Sequence, residues 1–392
     1  MTRRTSPLFL VGLLVLAANL RPAAVSVGPV LEEVRDSLGI GPGEAALLTS
    51  LPVLAFAVFG ALAPAAASRI GPHRVTALAL VAAVTGLSAR VLTDSDLAFL
   101  ALSLLAVAGM AMANVLLPSL VKRHAPERIG QVTALYTTTL AVGLTAALVL
   151  TVPFSELGGS WRWGLGVWAL LAAAALVPWL LLARTDRGLE PVRRTVTFAQ
   201  VARTRVGAAM ALFFGLQALQ AYVIFGWFAQ LWRDHGFTGS QAGLLLGVVT
   251  GISIPLSFVL PRWFTTTAAP LRVLLLVIGC YPVAYVGLLV APHTLAVLWA
   301  ALAGVGTCTF PLILTLVGLR ARTPEGTAAL SAFTQAVGYL VAATGPFTVG
   351  LLYEATDAWT APLALLLVLV APMVLLAVRL SRASYVEDEL VP

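Results

Sequence analysis

One arginine inside a long apolar segment is the residue of this chain best suited to bind an anion. Arg21 follows the apolar run 8–20, and a second apolar stretch continues to Leu31. At the centre of a bilayer a charged side chain costs roughly 2.5–3.5 kcal/mol or more, so it normally faces a cavity or a partner. Its guanidinium carries a planar fork of N–H donors that matches a carboxylate or similar oxyanion. The sequence therefore predicts anion recognition by Arg21.

Other interpretations of Arg21 stay open. An ion pair between two helices is disfavoured, because no Asp or Glu lies in any predicted helix interior. The guanidinium could instead donate to backbone carbonyls at a broken helix, since Pro22 removes the hydrogen bond to the carbonyl of Ala18 and can bend the helix. A shifted helix register is the third interpretation, in which Arg21 does not lie near the middle of the membrane.

Uncharged polar residues in other apolar segments could complete the pocket. Gln217 and Gln220 stand three apart, on one helix face. A shift of 201 positions places Gln220 opposite Asn19 and Tyr222 opposite Arg21, so two similar half-chains could present these groups to one cavity. For each residue the alternative is a hydrogen bond between helices, which is common in membrane bundles. The predicted substrate-binding residues are Arg21, Asn19, Asn114, Tyr136, Gln217, Gln220, Tyr222, Gln335 and Tyr339.

The motifs of other chemistries are missing from the sequence. There is no HExxH, GxSxG or GxxxxGK[ST] pattern, and Cys280 and Cys308 form no CxxC pair. The four histidines, His73, His124, His235 and His293, all fall in predicted loops. We therefore expect no enzyme activity, no bound metal and no cofactor. The net charge of +7 is spread over short loops, so we also expect no nucleic-acid partner.

The elements that position these residues are membrane helices. The chain is 59% hydrophobic and 10% charged, whereas a soluble domain carries about 25% charged residues. Apolar stretches near the ~20 residues that cross a bilayer recur along the whole chain. We predict an all-α integral membrane protein with spans at 8–31, 45–67, 75–93, 97–121, 131–153, 162–183, 206–231, 241–262, 270–290, 294–319, 327–352 and 359–380.

The spans divide into two halves around an arginine-rich polar stretch. We predict an N-terminal six-helix bundle at 1–183, a cytoplasmic linker at 184–205, a C-terminal six-helix bundle at 206–380 and a cytoplasmic tail at 381–392. Of the 24 basic residues, 19 fall on the side of the termini and the linker, which the positive-inside rule makes cytoplasmic. The opposite side holds Arg35, Arg90, Arg162 and Arg233, and Arg21 lies within the membrane.

An internal repeat supports the two pseudo-symmetric halves. Arg123, followed by a Pro-Glu pair, precedes a helix that contains Ala-Val-Gly ending at Gly143. In the second half Arg322, Pro324 and Glu325 precede the same Ala-Val-Gly, which ends at Gly338, 195 positions later. Parallel six-helix repeats of this kind place a substrate site between the halves, near the bilayer midplane.

Two segments resemble known transporters. The loop 64–74 is similar to the Asp-Arg-x-Gly-Arg signature of the major facilitator superfamily: Arg69, Gly71 and Arg74 form the candidate gating motif, and Ser68 replaces the aspartate. The opening Asn-Leu-Arg-Pro-Ala around Arg21, continued by 47–53, resembles the cyanate permease branch, which includes 2-nitroimidazole transporters. The resemblance implies alternating access and, through Arg21, a small anion as cargo. Ser68 lacks the carboxylate that usually supports the charge-relay gate of this signature.

These observations lead to one main functional prediction. We expect a secondary transporter of a small, anionic molecule, monomeric in the lipid bilayer of a bacterial inner membrane, with both termini cytoplasmic. The first alternative is efflux of drug-like or neutral compounds, with Arg21 in a structural role. The second alternative is a membrane sensor that transports nothing.

Overall fold

The computed structural model describes residues 6–186 and 196–390, and this described part contains helices, turns and loops but no strand. The all-α class predicted from the sequence is confirmed. The helices are α1 Pro7–Asn19, α2 Pro22–Val25, α3 Leu31–Leu38, α4 Pro42–Ile70, α5 Pro72–Arg90, α6 Asp96–His124, α7 Ile129–Gly158, α8 Trp161–Ala183, α9 Phe198–Val201, α10 Arg205–Asp234, α11 Gly239–Thr266, α12 Pro270–Val290, α13 Ala296–Thr307, α14 Thr309–Leu319, α15 Pro324–Thr356 and α16 Thr360–Ser381.

The helices account for the predicted membrane spans. Eleven segments of the described chain are long and apolar enough to cross a bilayer. The remaining predicted span, 75–93, corresponds to α5. This helix is shorter, with 19 residues, and less apolar because it carries His73, Arg74 and Arg90. Five of the arginines used to orient the chain lie outside the described residues, namely Arg3, Arg4, Arg187, Arg193 and Arg194.

Two of the predicted spans are interrupted helices. The first is broken at Leu20 and Arg21, between α1 and α2, because Pro22 has no N–H to continue the α1 ladder. Helix α2 starts afresh there, with the carbonyl of Arg21 accepting from the N–H groups of Ala24 at 2.9 Å and Val25 at 3.0 Å. The tenth span is interrupted at Cys308, between α13 and α14. Broken helices in membranes expose backbone groups that are tolerated where they line a cavity or contact protein.

The chain separates into two compact units. The first comprises Met1–Glu127, Leu135–Phe198 and Thr323–Ala332, and the second comprises Arg128–Ala134, Ala199–Arg322 and Phe333–Pro392. Helices α7 and α15 therefore each contribute residues to both units.

The two Ala-Val-Gly elements of the repeat pack in similar ways. Gly143 of α7 touches the backbone of Ala18 in α1, so that an added Cβ would overlap the Ala18 carbonyl oxygen. Gly338 of α15 touches the Phe214 ring and the Ala211 carbonyl of α10. In each case the missing side chain lets the helix approach the first helix of the same half of the sequence, as small residues commonly do in membrane bundles.

The described part of the predicted C-terminal tail is packed against the second unit. The guanidinium of Arg322 donates two hydrogen bonds to Asp388, at 2.9 and 2.8 Å, and these hold the pKa of that carboxyl below its usual value. The carboxylate of Glu389 accepts from the backbone N–H groups of Arg205 and Val206, at the start of α10. The tail thus satisfies N–H groups that have no partner inside the helix.

Candidate functional site

The interruption between α1 and α2 places Arg21 in a turn rather than in a helix interior. Arg21 is half-buried there. Asn19, the last residue of α1, is fully buried, and neither its Nδ2 nor its Oδ1 has a hydrogen-bond partner in the described chain. A buried amide normally finds partners, because leaving it unpaired costs roughly 1–3 kcal/mol. The break therefore combines a cationic fork with an amide that can still donate and accept.

The other predicted residues of the first unit are buried on its neighbouring helices. Asn114 lies on α6 and is 3% exposed, and Tyr136 lies on α7 and is fully buried. Helix α7 also carries Gly143, whose contact with Ala18 brings that helix against the end of α1. Their placement is compatible with the predicted pocket, and their role in it stays a prediction.

The glutamines of the second unit make hydrogen bonds between helices. Gln220 is fully buried; its Nε2 donates to the carbonyl of Leu366 at 2.9 Å, and its Oε1 accepts from the hydroxyl of Tyr285 at 2.6 Å. The Nε2 of Gln217 donates at 3.1 Å to the carbonyl of Thr307, beside the break between α13 and α14. These contacts follow the alternative interpretation, in which each polar group joins two helices.

Aromatic rings form the other predicted part of the second unit. Tyr339 is 2% exposed and packs edge-on against Phe214, with ring centroids 5.0 Å apart. The half-buried Tyr222 lies next to it, with centroids 6.3 Å apart. Gln335 lies one helical turn before Tyr339 on α15 and is fully buried. The structure therefore brings Tyr222 and Tyr339 together, and their role in the predicted pocket stays a prediction.

Arg90 is a charged residue that the structure buries. The sequence placed it within the predicted span 75–93 and among the basic residues on the side opposite the termini. It is the last residue of α5 and is fully buried. Its Nη2 donates to the hydroxyl of Ser26 at 3.2 Å. The helical pattern contained a signal, because Arg90 follows Leu80, Ala83 and Leu87 at spacings of three and four on the buried face of the helix.

The candidate gating loop is held by a carboxylate from a distant segment. Asp186, just beyond α8, accepts from the backbone N–H groups of His73 at 2.9 Å and Arg74 at 3.0 Å, and from the His73 ring Nδ1 at 2.7 Å. Gly71 has a φ of 95°, and a Cβ there would collide with Asp186. Asp186 therefore brings a carboxylate to this loop from another part of the chain. It caps the start of α5 and does not take the place of the aspartate that Ser68 replaces.

Two histidines belong to this arrangement rather than to loops, which corrects the sequence prediction. His73 is 3% exposed in the first turn of α5, and its Nε2 lies 2.8 Å from the Nε2 of His124 at the end of α6. One of these two Nε2 atoms carries the proton that the other accepts, which joins the start of α5 to the end of α6.

A cavity beside the gating loop contains an ion pair between the two repeats. Ser68, Arg69 and Gly71 line it together with Arg123 and Glu325. The Arg123 Nη2 lies 2.9 Å from the Glu325 Oε1, and both side chains are about 30% exposed. A pair of this exposure contributes only ~0.2–1 kcal/mol to stability. The bond can therefore break without a large loss of folding free energy.

Comparison with known proteins identifies the family that shares this architecture. The protein-family model described as Major Facilitator Superfamily matches residues 9–346. The uncharacterized transporter YycB of Bacillus subtilis is 34% identical over 360 residues, which cover 91% of this chain and 89% of that protein. The crystal structure of FucP, a major facilitator superfamily transporter in the outward conformation, superposes with a TM-score of 0.76 at 13% identity, covering 97% of this chain and 100% of that one.

Two characterised relatives come from Escherichia coli. The 2-nitroimidazole transporter is 31% identical over 354 residues, with 90% of each chain covered. The cyanate transport protein CynX is 27% identical over 344 residues, covering 87% of this chain and 88% of that protein. Both alignments extend over nearly the whole length of the chain.

Proposed function

Because the chain belongs to the Major Facilitator Superfamily, it is a secondary transporter, and we propose that its cargo is a small anion of the cyanate or carboxylate type. The observation that carries this proposal is the break between α1 and α2, where Arg21 lies two residues from the unpartnered amide of Asn19. A guanidinium and an amide together can bind both oxygens of a carboxylate, or the two ends of a linear anion.

The proposed site extends to the other polar residues predicted from the sequence. We propose that Asn114, Tyr136, Tyr222 and Tyr339 contribute to it, with Gln217, Gln220 and Gln335 supporting the helices that carry it. Transport would proceed by alternating access, in which the two halves rock around the bound cargo. Cyanate, the cargo in the name of CynX, is a small anion, and this supports the proposal.

A second candidate is efflux of a neutral, drug-like compound. It is favoured by the relative named as a 2-nitroimidazole transporter, since that cargo is a small nitro-substituted ring rather than a simple oxyanion. In this case Arg21 donates to backbone carbonyls at the helix break and has a structural role.

Counterflow in proteoliposomes tests the proposal against the second candidate. Purified protein is reconstituted into liposomes loaded with unlabelled cyanate or acetate, and entry of the labelled anion is measured. We expect saturable uptake above protein-free liposomes, with competition among small monovalent anions and none by 2-nitroimidazole. Uptake of 2-nitroimidazole that no anion inhibits would instead establish the second candidate.

The orientation in a bacterial inner membrane is a separate proposal. The basic loops favour cytoplasmic termini and a cytoplasmic linker. Reporter fusions at Arg193 and at the C-terminus should therefore give the cytoplasmic signal, and a fusion near Asp94 should give the external one. An external signal at Arg193 would reverse the orientation.

A further inference from the structure

A cavity inside the first unit is lined by a buried arginine whose charge is balanced by no acidic group among the described residues. The cavity has a volume of 140 Å³, and Arg90 and Ser103 line it together with the apolar residues Val27, Leu51 and Val107. It lies between α2 with the residues directly after it and helices α4, α5 and α6. Arg21 is not among its lining residues.

The polar atoms of this cavity are donors without partners. Arg90 is fully buried, and its Nε and Nη1 have no hydrogen-bond partner in the described chain. Ser103 is 2% exposed, and its hydroxyl is also unpartnered. The remaining Arg90 nitrogen, Nη2, donates to the hydroxyl of Ser26 at 3.2 Å. N–H donors of Arg90 and the O–H donor of Ser103 therefore lie at one cavity.

The charge distinguishes between the ligands that could use these donors. Water can accept hydrogen bonds from Arg90, but it does not neutralise a buried guanidinium, and buried charges are normally paired. The described residues lining the cavity include no carboxylate. The apolar walls disfavour a large or strongly hydrated divalent anion, because they cannot replace its hydration shell.

We propose that this cavity is a second anion site, separate from the cargo site, which binds one small monovalent anion through Arg90 and Ser103. Chloride and formate have the required size and charge. The bound anion neutralises Arg90 and joins α5 to α6. The site does not depend on the identity of the cargo.

Thermal unfolding of the purified full-length protein tests this site. Chloride or formate replaces gluconate at constant sodium concentration. A ligand that binds only the folded state should raise the melting temperature saturably, by roughly 2–5 °C at about twenty times its dissociation constant. The Arg90→Gln variant should lose this rise, and Ser103→Ala should raise the half-saturating concentration roughly tenfold.

Matched variants separate the site from general salt effects. Arg162 belongs to the same unit, but its guanidinium donates to the carbonyls of Val91 and Thr93 and to Asp94. Arg162→Gln should therefore keep the chloride response, and so should Arg21→Ala, whatever happens to transport. A chloride response of wild-type size in both Arg90→Gln and Ser103→Ala would overturn the proposal, as would a wild-type protein that responds to neither anion. If Arg90→Gln does not fold, Ser103→Ala alone decides.

Discussion

Replacing Arg21 by alanine is expected to weaken binding of an anionic cargo by about 2–5 kcal/mol, because truncation leaves the bound anion without its charged partner. This corresponds to a loss of affinity of roughly thirtyfold or more. Arg21 is half-buried in a turn between two helices, so its removal should leave the helices themselves intact. Cargo affinity and melting temperature are measured on the same preparation.

Two further variants make this result specific. Arg21→Lys should restore little affinity, since an ammonium group does not reproduce the two-pronged contact of a guanidinium. Arg128→Ala removes an exposed positive charge elsewhere and should leave affinity unchanged. If Arg21→Ala instead lowers the melting temperature while affinity is retained, Arg21 has the structural role required by the second candidate function.

Replacing Asp186 by alanine is expected to cost roughly 2–4 kcal/mol of folding free energy, because buried donors lose their acceptor. The carboxylate accepts from two backbone N–H groups and from the ring of His73, and its side chain is 1% exposed. Denaturation by heat, followed by circular dichroism in detergent, measures the change.

Asp94 provides the matched control for Asp186. It also pairs with a cationic side chain, Arg162 at 2.6 Å, but its own side chain is 93% exposed. Asp94→Ala should therefore change the folding free energy by less than about 1 kcal/mol. Asp186→Asn retains one acceptor oxygen and should fall between wild type and Asp186→Ala. Equal stability of Asp186→Ala and Asp94→Ala would contradict the role of Asp186 as the cap of α5.

The membrane class and the helix count could be predicted from the sequence because they depend on local composition. A helix that crosses a bilayer satisfies its backbone hydrogen bonds internally and must be apolar along its length. Each span can therefore be identified from its own residues alone. The interruption at Arg21 was readable in the same way, since Pro22 removes a donor whatever surrounds it. Helix α5 was also placed correctly, although its charged ends make it the least apolar of the twelve.

Side-chain partners were decided by the tertiary structure. Asp186 and His73 are 113 positions apart in the sequence, and Gln220 and Leu366 are 146 positions apart. No local sequence pattern predicts either contact. Arg90 was counted among the basic residues on the side opposite the termini because a charge near a span end usually reaches water, yet packing within the first unit leaves it fully buried. A sequence shows which residues carry charge and where helices form, whereas burial and pairing depend on which helices meet, and that is determined by packing across the whole unit.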